Sequence, residues 1–239
     1  MTMPTTSSSP RLLARMTGVF ILLTIVFGIF AQIFVSEKLI DFRDAGATAA
    51  QILAHKGLFQ LGFTIYLIEM ACQVTAAVLF YQLLKPVNRT VALLSLFLEV
   101  TGCVIKTFAR VFYIAPLFVL GHPAALEGLS TEQLHSVALI LLNVNDQGAG
   151  VALAFFGFST FLGGWLVFRS TFLPRWLGVL SLVAGVGWLT FLYRPLGDLA
   201  FPIVALFGLA GAAATIFWML VFGVNEEKWA RRMKALQLG

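Results

Sequence analysis

The chain has 239 residues, 59% hydrophobic and only 11% charged, with a formal net charge of +5. A soluble core cannot use that much apolar surface, so the composition excludes a water-soluble globular protein and implies an integral membrane one. The basic excess would suggest nucleic acid in a soluble protein; here it reads as loop charge that holds orientation, and no nucleic-acid partner is expected.

In chain order, "MTMPTTSSSP" (1–10) reads as a disordered polar tail. Arg11 and Arg15 then precede an apolar run too long for a signal-peptide core. No small-x-small cleavage site follows, so the run reads as a retained first span over 15–35. Further spans are expected at 57–84, 90–119, 133–168, 175–193 and 200–224, since about 20 apolar residues cross the hydrocarbon. Barrel strands would be short and strictly alternating, which these runs are not. Between the first two spans, "FRDAGATAAQILAHKG" has apolar residues at helical spacing and predicts a short interfacial helix. The fourth window is too long for a simple crossing, and "TEQLHSVALILLN" is expected to project beyond the bilayer or lie at its interface. The basic segment 225–239 either continues the last helix or lies along the inner surface, where Trp229 and its cationic neighbours suit anionic headgroups. The expected fold is all-α: a polytopic membrane helix bundle with six transmembrane helices within 11–224.

Loop charges orient this layout. One side receives Arg11, Arg15, Lys85, Arg89, Arg169, Arg175, Lys228, Arg231, Arg232 and Lys234; the other receives Lys38, Arg43, Lys56 and Arg194. The bias predicts that both termini are cytoplasmic. Trp165, Trp176 and Trp218 near inner ends of spans, and Trp188 near an outer end, agree with it.

"LLKPVNR" (83–89) and "FFGFSTFLGGWLVFRSTFLPRWLG" (155–178) resemble a family of bacterial integral membrane proteins, the domain of unknown function 4386. The likeness runs from about Leu12 to Val224. It implies a helical membrane domain in the bacterial cytoplasmic (inner) membrane, and brings no activity or catalytic residues with it. Physically, Arg169 and Arg175 hold a tight cytoplasmic turn, and Pro174, lacking an amide donor, suits the first turn of the fifth helix.

Chemistry-bearing motifs are few. None of His55, His122 and His135 lies deep in a span, and no HExxH, CxxC or paired-His spacing appears, so no metal site or cofactor is expected. Cys72 and Cys103 lie inside apolar runs and read as free thiols. Ser95 and Ser159 have no nearby His and are expected to bond backbone carbonyls. The small residues of "GLAGAAAT" (208–215) predict close helix packing. No catalytic residues are assigned, and an enzyme is not expected.

The spans nevertheless carry charge, which is costly near the membrane centre and needs partners or water. With about 1.5 Å of rise per residue, Glu69 lies roughly 24 Å from the level of Lys85, and Lys106 roughly 25 Å from that of Arg89. On antiparallel neighbours these two can meet. Arg110 and Asp146 reach roughly 32 and 34 Å and form a second candidate pair. Glu99, Lys106 and Arg110 share one helix face, as do Tyr66, Glu69 and Gln73. Asn143, Asn145, Asp146 and Gln147 add polar groups where the fourth span meets the outer interface. Glu99 lacks an obvious partner at its own depth, with Gln73 the nearest candidate.

The candidate ligand-binding set is therefore Tyr66, Glu69, Gln73, Glu99, Lys106, Arg110, Asn143 and Asp146. Two readings stay open. One is binding or movement of a small polar or amphipathic ligand through a polar cavity in the outer half of the bundle. The other is a non-catalytic module that supports or senses a protein partner, its buried charges fixing helix register.

Overall fold

The protein is described by a computed structural model covering residues 9–121 and 126–238. His122 and all but the last two residues of the expected tail lie outside the described residues. In chain order the helices are α1 (Pro10–Leu39), α2 (Ala45–Ala54), α3 (Lys56–Leu84), α4 (Arg89–Leu120), α5 (Thr131–Arg169), α6 (Arg175–Leu192), α7 (Arg194–Val221) and α8 (Glu226–Leu238). No strand occurs among the described residues. All of these but α2 and α8 are long and apolar enough to cross a membrane. The architecture is the all-α, six-span helical bundle that composition and run length implied.

Side chains at the helix starts account for several boundaries. The Asp44 carboxylate accepts from the Ala47 amide at 2.8 Å and caps α2, while Asn88 accepts from Val91 at 3.0 Å and starts α4. Ser130 and Gln133 exchange hydrogen bonds, each side chain accepting from the other's amide, and open α5 with a reciprocal capping box. "TEQLHSVALILLN" thereby becomes the first third of one continuous 39-residue helix.

The first span runs longer than the expected 15–35, over Pro10–Leu39, and the sixth differs at its start. The sixth crossing begins at Arg194 rather than near 200, because Pro195 suits a first helical turn and Arg194 reaches Asp198 one turn on at 2.7 Å. At its other end the chain does not continue into the tail. Gly223 adopts φ +66° and its amide bonds the Trp218 carbonyl at 2.9 Å, a left-handed stop that releases α8 as a separate helix. The Asn225 side chain then caps α8 by accepting from Lys228 at 3.0 Å.

The contacts divide the chain into two compact units. Unit 1 draws on Met1–Leu22, Gln73–Thr101 and Leu153–Gly239; unit 2 comprises Leu23–Cys72 and Gly102–Ala152. Each of α1, α3, α4 and α5 therefore contributes one stretch to each unit.

Unit 1 has an apolar core around Ala14, Leu83, Leu84, Leu166, Leu177 and Met219. Its α5 and α6 touch through backbone. A Cβ at Gly178 would stand 2.4 Å from the Phe168 nitrogen and 2.8 Å from the Gly164 oxygen. At Gly185 it would stand 2.6 Å from the Phe161 nitrogen. Side chains cannot enter such a contact, which explains Gly164 and Gly178 of the 155–178 motif more directly than its turn does. The turn itself is closed by the Ser170 hydroxyl, which donates to Val167 and accepts from Leu173, with Pro174 at the cap position just before α6. Ser95 donates to the Ser159 carbonyl at 3.0 Å, joining α4 to α5. The indole of Trp229 donates to the Leu83 carbonyl at 2.9 Å, and the Asn225 amide to Phe172 at 3.2 Å, docking α8 within this unit.

Unit 2 has a second core, including Ala31, Val35, Ile52, Phe59, Tyr66, Tyr113, Ala138 and Leu142. Here α2 packs against the Pro116–Leu120 end of α4.

Candidate functional site

The polar side chains of unit 2 collect on four helices. In α1 the backbone switches over Phe30–Ser36 to the wider π-helical winding, a feature that often accompanies functional positions in helices. Gln32 and Ser36 come from this stretch. The Tyr66 hydroxyl of α3 donates to Gln32 Oε1 at 2.9 Å and lies 3.0 Å from Ser36 Oγ, which also reaches the Tyr113 hydroxyl at 3.3 Å. Gln32, itself exposed, donates to Glu37 at 3.4 Å.

One helical turn along α3, Glu69 meets α4. Lys106 Nζ donates to Glu69 Oε1 at 2.7 Å, and the two side chains are 16% and 6% exposed. The carboxylate fits because α1 has a glycine opposite it: a Cβ on Gly28 would lie 2.9 Å from Glu69 Oε1. Four residues after Lys106, the Arg110 guanidinium stacks on the Tyr66 ring at 3.5 Å, and its Nη1 donates to Asn145 Oδ1 of α5 at 3.0 Å. A desolvated cation over an aromatic face is stabilised by about 2 kcal/mol. Phe59 stacks on Tyr113 at 4.5 Å and closes the apolar side.

Two atoms of this cluster are buried and have no hydrogen-bond partner: Glu69 Oε2, an acceptor, and Arg110 Nε, a donor. Both residues are at least nine-tenths buried, at 4% and 5% exposure. Leaving a buried donor or acceptor unmatched typically costs about 1–3 kcal/mol, and more for charged groups.

The expected site residues divide as follows. Tyr66, Glu69, Lys106 and Arg110 come together in unit 2, joined by Asn145. Gln73 and Glu99 belong to unit 1 and bond each other, Gln73 Nε2 donating to Glu99 Oε1 at 2.7 Å. Asp146 is half-buried in α5. Asn143 is exposed and donates to the Leu139 carbonyl of its own helix at 2.9 Å, so the cluster takes Asn145 in its place. Two residues apart on a helix are about 200° apart around it, which puts the two asparagines on opposite sides. Gln32, Ser36, Tyr113 and Gly28 were not expected. Gln32 and Ser36, two polar groups four residues apart in an apolar run, were a readable signal; the glycine opposite Glu69 was not.

Helices that cross a membrane and bury hydrogen-bonded charge in their midst define a class: polytopic α-helical membrane proteins with an intramembrane polar cluster. The chain belongs to one family within it, the domain of unknown function DUF4386, which it matches over residues 16–223. It is also 28% identical over 178 residues to an uncharacterised protein of the archaeon Archaeoglobus fulgidus, covering 72% of this chain and 93% of that one. No solved structure matches.

Proposed function

We propose that this multi-pass membrane protein binds, or passes across the bilayer, a small polar or amphipathic molecule, lipid-like ones included, and catalyses no reaction. The site is the unit 2 cluster of Tyr66, Glu69, Lys106, Arg110 and Asn145, in the outer half of the bundle of a prokaryotic cytoplasmic membrane. The observation that carries this reading is the pair of unmatched buried atoms, Glu69 Oε2 and Arg110 Nε. Leaving both of them unmatched is a cost that a bound ligand would remove. An ionisable group placed within a membrane span is by default a functional candidate.

Burial favours the second reading, a register device in a module that supports or senses a protein partner: Tyr66 and Tyr113 are only 2% and 1% exposed. Native mass spectrometry of protein extracted from its own membranes separates the two. The ligand reading expects a small-molecule adduct on the wild type that is absent from a folded Glu69→Gln/Lys106→Met variant. A wild type without adduct, or equal adducts on both, leaves only the register device. The orientation has its own test, in which a reporter after Gly239 is cytoplasmic and one near Gly128 is on the opposite side.

A further inference from the structure

The turn between α5 and α6 is closed without its arginine side chains. The Ser170 hydroxyl and Pro174 hold the backbone. The Arg169 guanidinium lies over the Trp165 ring at 5.4 Å, and that of Arg175 over Phe168 at 5.9 Å. Both arginines are exposed. A third cation joins them from α8. Trp229 turns inward to the Leu83 carbonyl, and the half-buried Arg232 donates from Nη2 to the Arg169 carbonyl at 3.5 Å. Lys228, Arg231 and Lys234 of the same helix stay exposed. Glu226 and Glu227, the carboxylates of α8, face Arg11 at 4.0 Å and Arg231 at 3.8 Å. Among the described residues, no carboxylate forms an ion pair with Arg169, Arg175 or Arg232.

We infer that this face of unit 1, formed by Arg169 and Arg175 at the α5–α6 turn and Arg232 on α8, binds the phosphate headgroup of an anionic membrane lipid. A guanidinium fork matches phosphate geometry. Cations clustered immediately beyond a membrane span attract anionic lipid. Position selects a lipid over a soluble acidic partner. Arg169 is the last residue of one span and Arg175 the first of the next, which sets both at headgroup level. Aromatic rings mark that level: Trp165 carries the Arg169 guanidinium, and Trp176 is 47% exposed and meets Trp218 edge-on at 6.0 Å. A lipid held here persists in Glu69→Gln/Lys106→Met, which separates it from a ligand of the unit 2 cluster.

Two lipids with the same chains test this: dioleoylphosphatidylglycerol and dioleoylphosphatidylcholine, titrated into the purified protein and read by native mass spectrometry. The wild type is expected to bind the anionic lipid more tightly. Arg169→Gln/Arg232→Gln should lose about tenfold of that affinity, since each basic residue near an anionic headgroup contributes a factor of several. Its affinity for the zwitterionic lipid should not change. Lys38→Gln/Arg43→Gln removes the same charge at the other ends of the spans and should leave the preference intact. A wild type without the preference overturns the assignment and leaves the face to an acidic protein segment. Unchanged affinity in Arg169→Gln/Arg232→Gln, or equal loss in both double variants, also overturns it. So does displacement of the lipid by inorganic phosphate but not by sodium chloride of equal ionic strength, which would mark a site for the free anion. Should Arg169→Gln/Arg232→Gln fail to fold, Arg169→Gln alone carries the comparison with about a threefold loss, because its carbonyl still accepts from Arg232.

Discussion

Where α5 meets α6 in unit 1, glycines let backbone lie on backbone; in the cluster of unit 2, α3, α4 and α5 meet through long polar side chains. Lipid tails are as apolar as leucine, so association of membrane helices relies on close packing and interhelical hydrogen bonds rather than on hydrophobic burial. The two regions use one of these each. Packing of the first kind is complete in itself, and its atoms offer nothing to a ligand. The second kind positions charge, and at Glu69 and Arg110 it positions more hydrogen-bonding capacity than the protein uses. A chemically useful site in this fold is therefore expected where the helices are joined by side chains.

Substitutions sharpen the contrast. The largest effect is expected from Lys106→Met, which leaves Glu69 buried without its cation; loss of one partner of such a pair typically costs about 3–5 kcal/mol. Thermal unfolding in detergent should show it as a clear fall in midpoint. In unit 1, Gly178→Ala should cost about 1–3 kcal/mol as an overpacked contact, because the atoms it meets are backbone and cannot turn aside. A wild-type midpoint in that variant would mean that the α5–α6 contact is looser than described. Gly28→Ala belongs to unit 2 and is expected to cost about 1 kcal/mol, since the neighbour it meets is the end of the Glu69 side chain, which can move off its preferred rotamer. That variant should weaken ligand binding more than its modest loss of stability, and equal binding would break the link between Gly28 and the site.

The smallest effect is at α8. The Ser9 hydroxyl donates to Glu226 at 2.7 Å, and this bond, followed by the Arg11 amide and guanidinium, holds the Glu226 carboxyl below its ordinary pKa. A carboxyl lowered on folding contributes stability above its unfolded pKa and loses it as the pH falls through the lowered value. The difference in midpoint between wild type and Glu226→Gln should be present at neutral pH and vanish in acid. A difference that grows in acid would contradict the sign.

Much of the fold was legible because span length is a property of runs, and runs survive an error of a few residues. Counting from Lys85 and Arg89 brought Glu69 and Lys106 to one level because a short connection joins two uninterrupted helices. Local winding and phase were harder. The π-helical stretch of α1 changes which side Ser36 presents, and nothing in "FAQIFVS" announces that change. Asn143 and Asn145 look equivalent in sequence, and only the rotation of α5 selects Asn145 for Arg110. The glycines at 164 and 178 lie on different helices, and their meeting depends on the register of the α5–α6 hairpin.

The central claim, that the Glu69–Lys106 pair belongs to a binding site, is tested most directly by a double-mutant cycle. Glu69→Gln, Lys106→Met and the double variant are compared with the wild type for thermal stability and bound adduct on the same samples. The account predicts that each single variant loses stability, that the double recovers much of it, and that the recovered double carries no adduct. Near-additive losses, or a stable double variant that keeps the adduct, would contradict it.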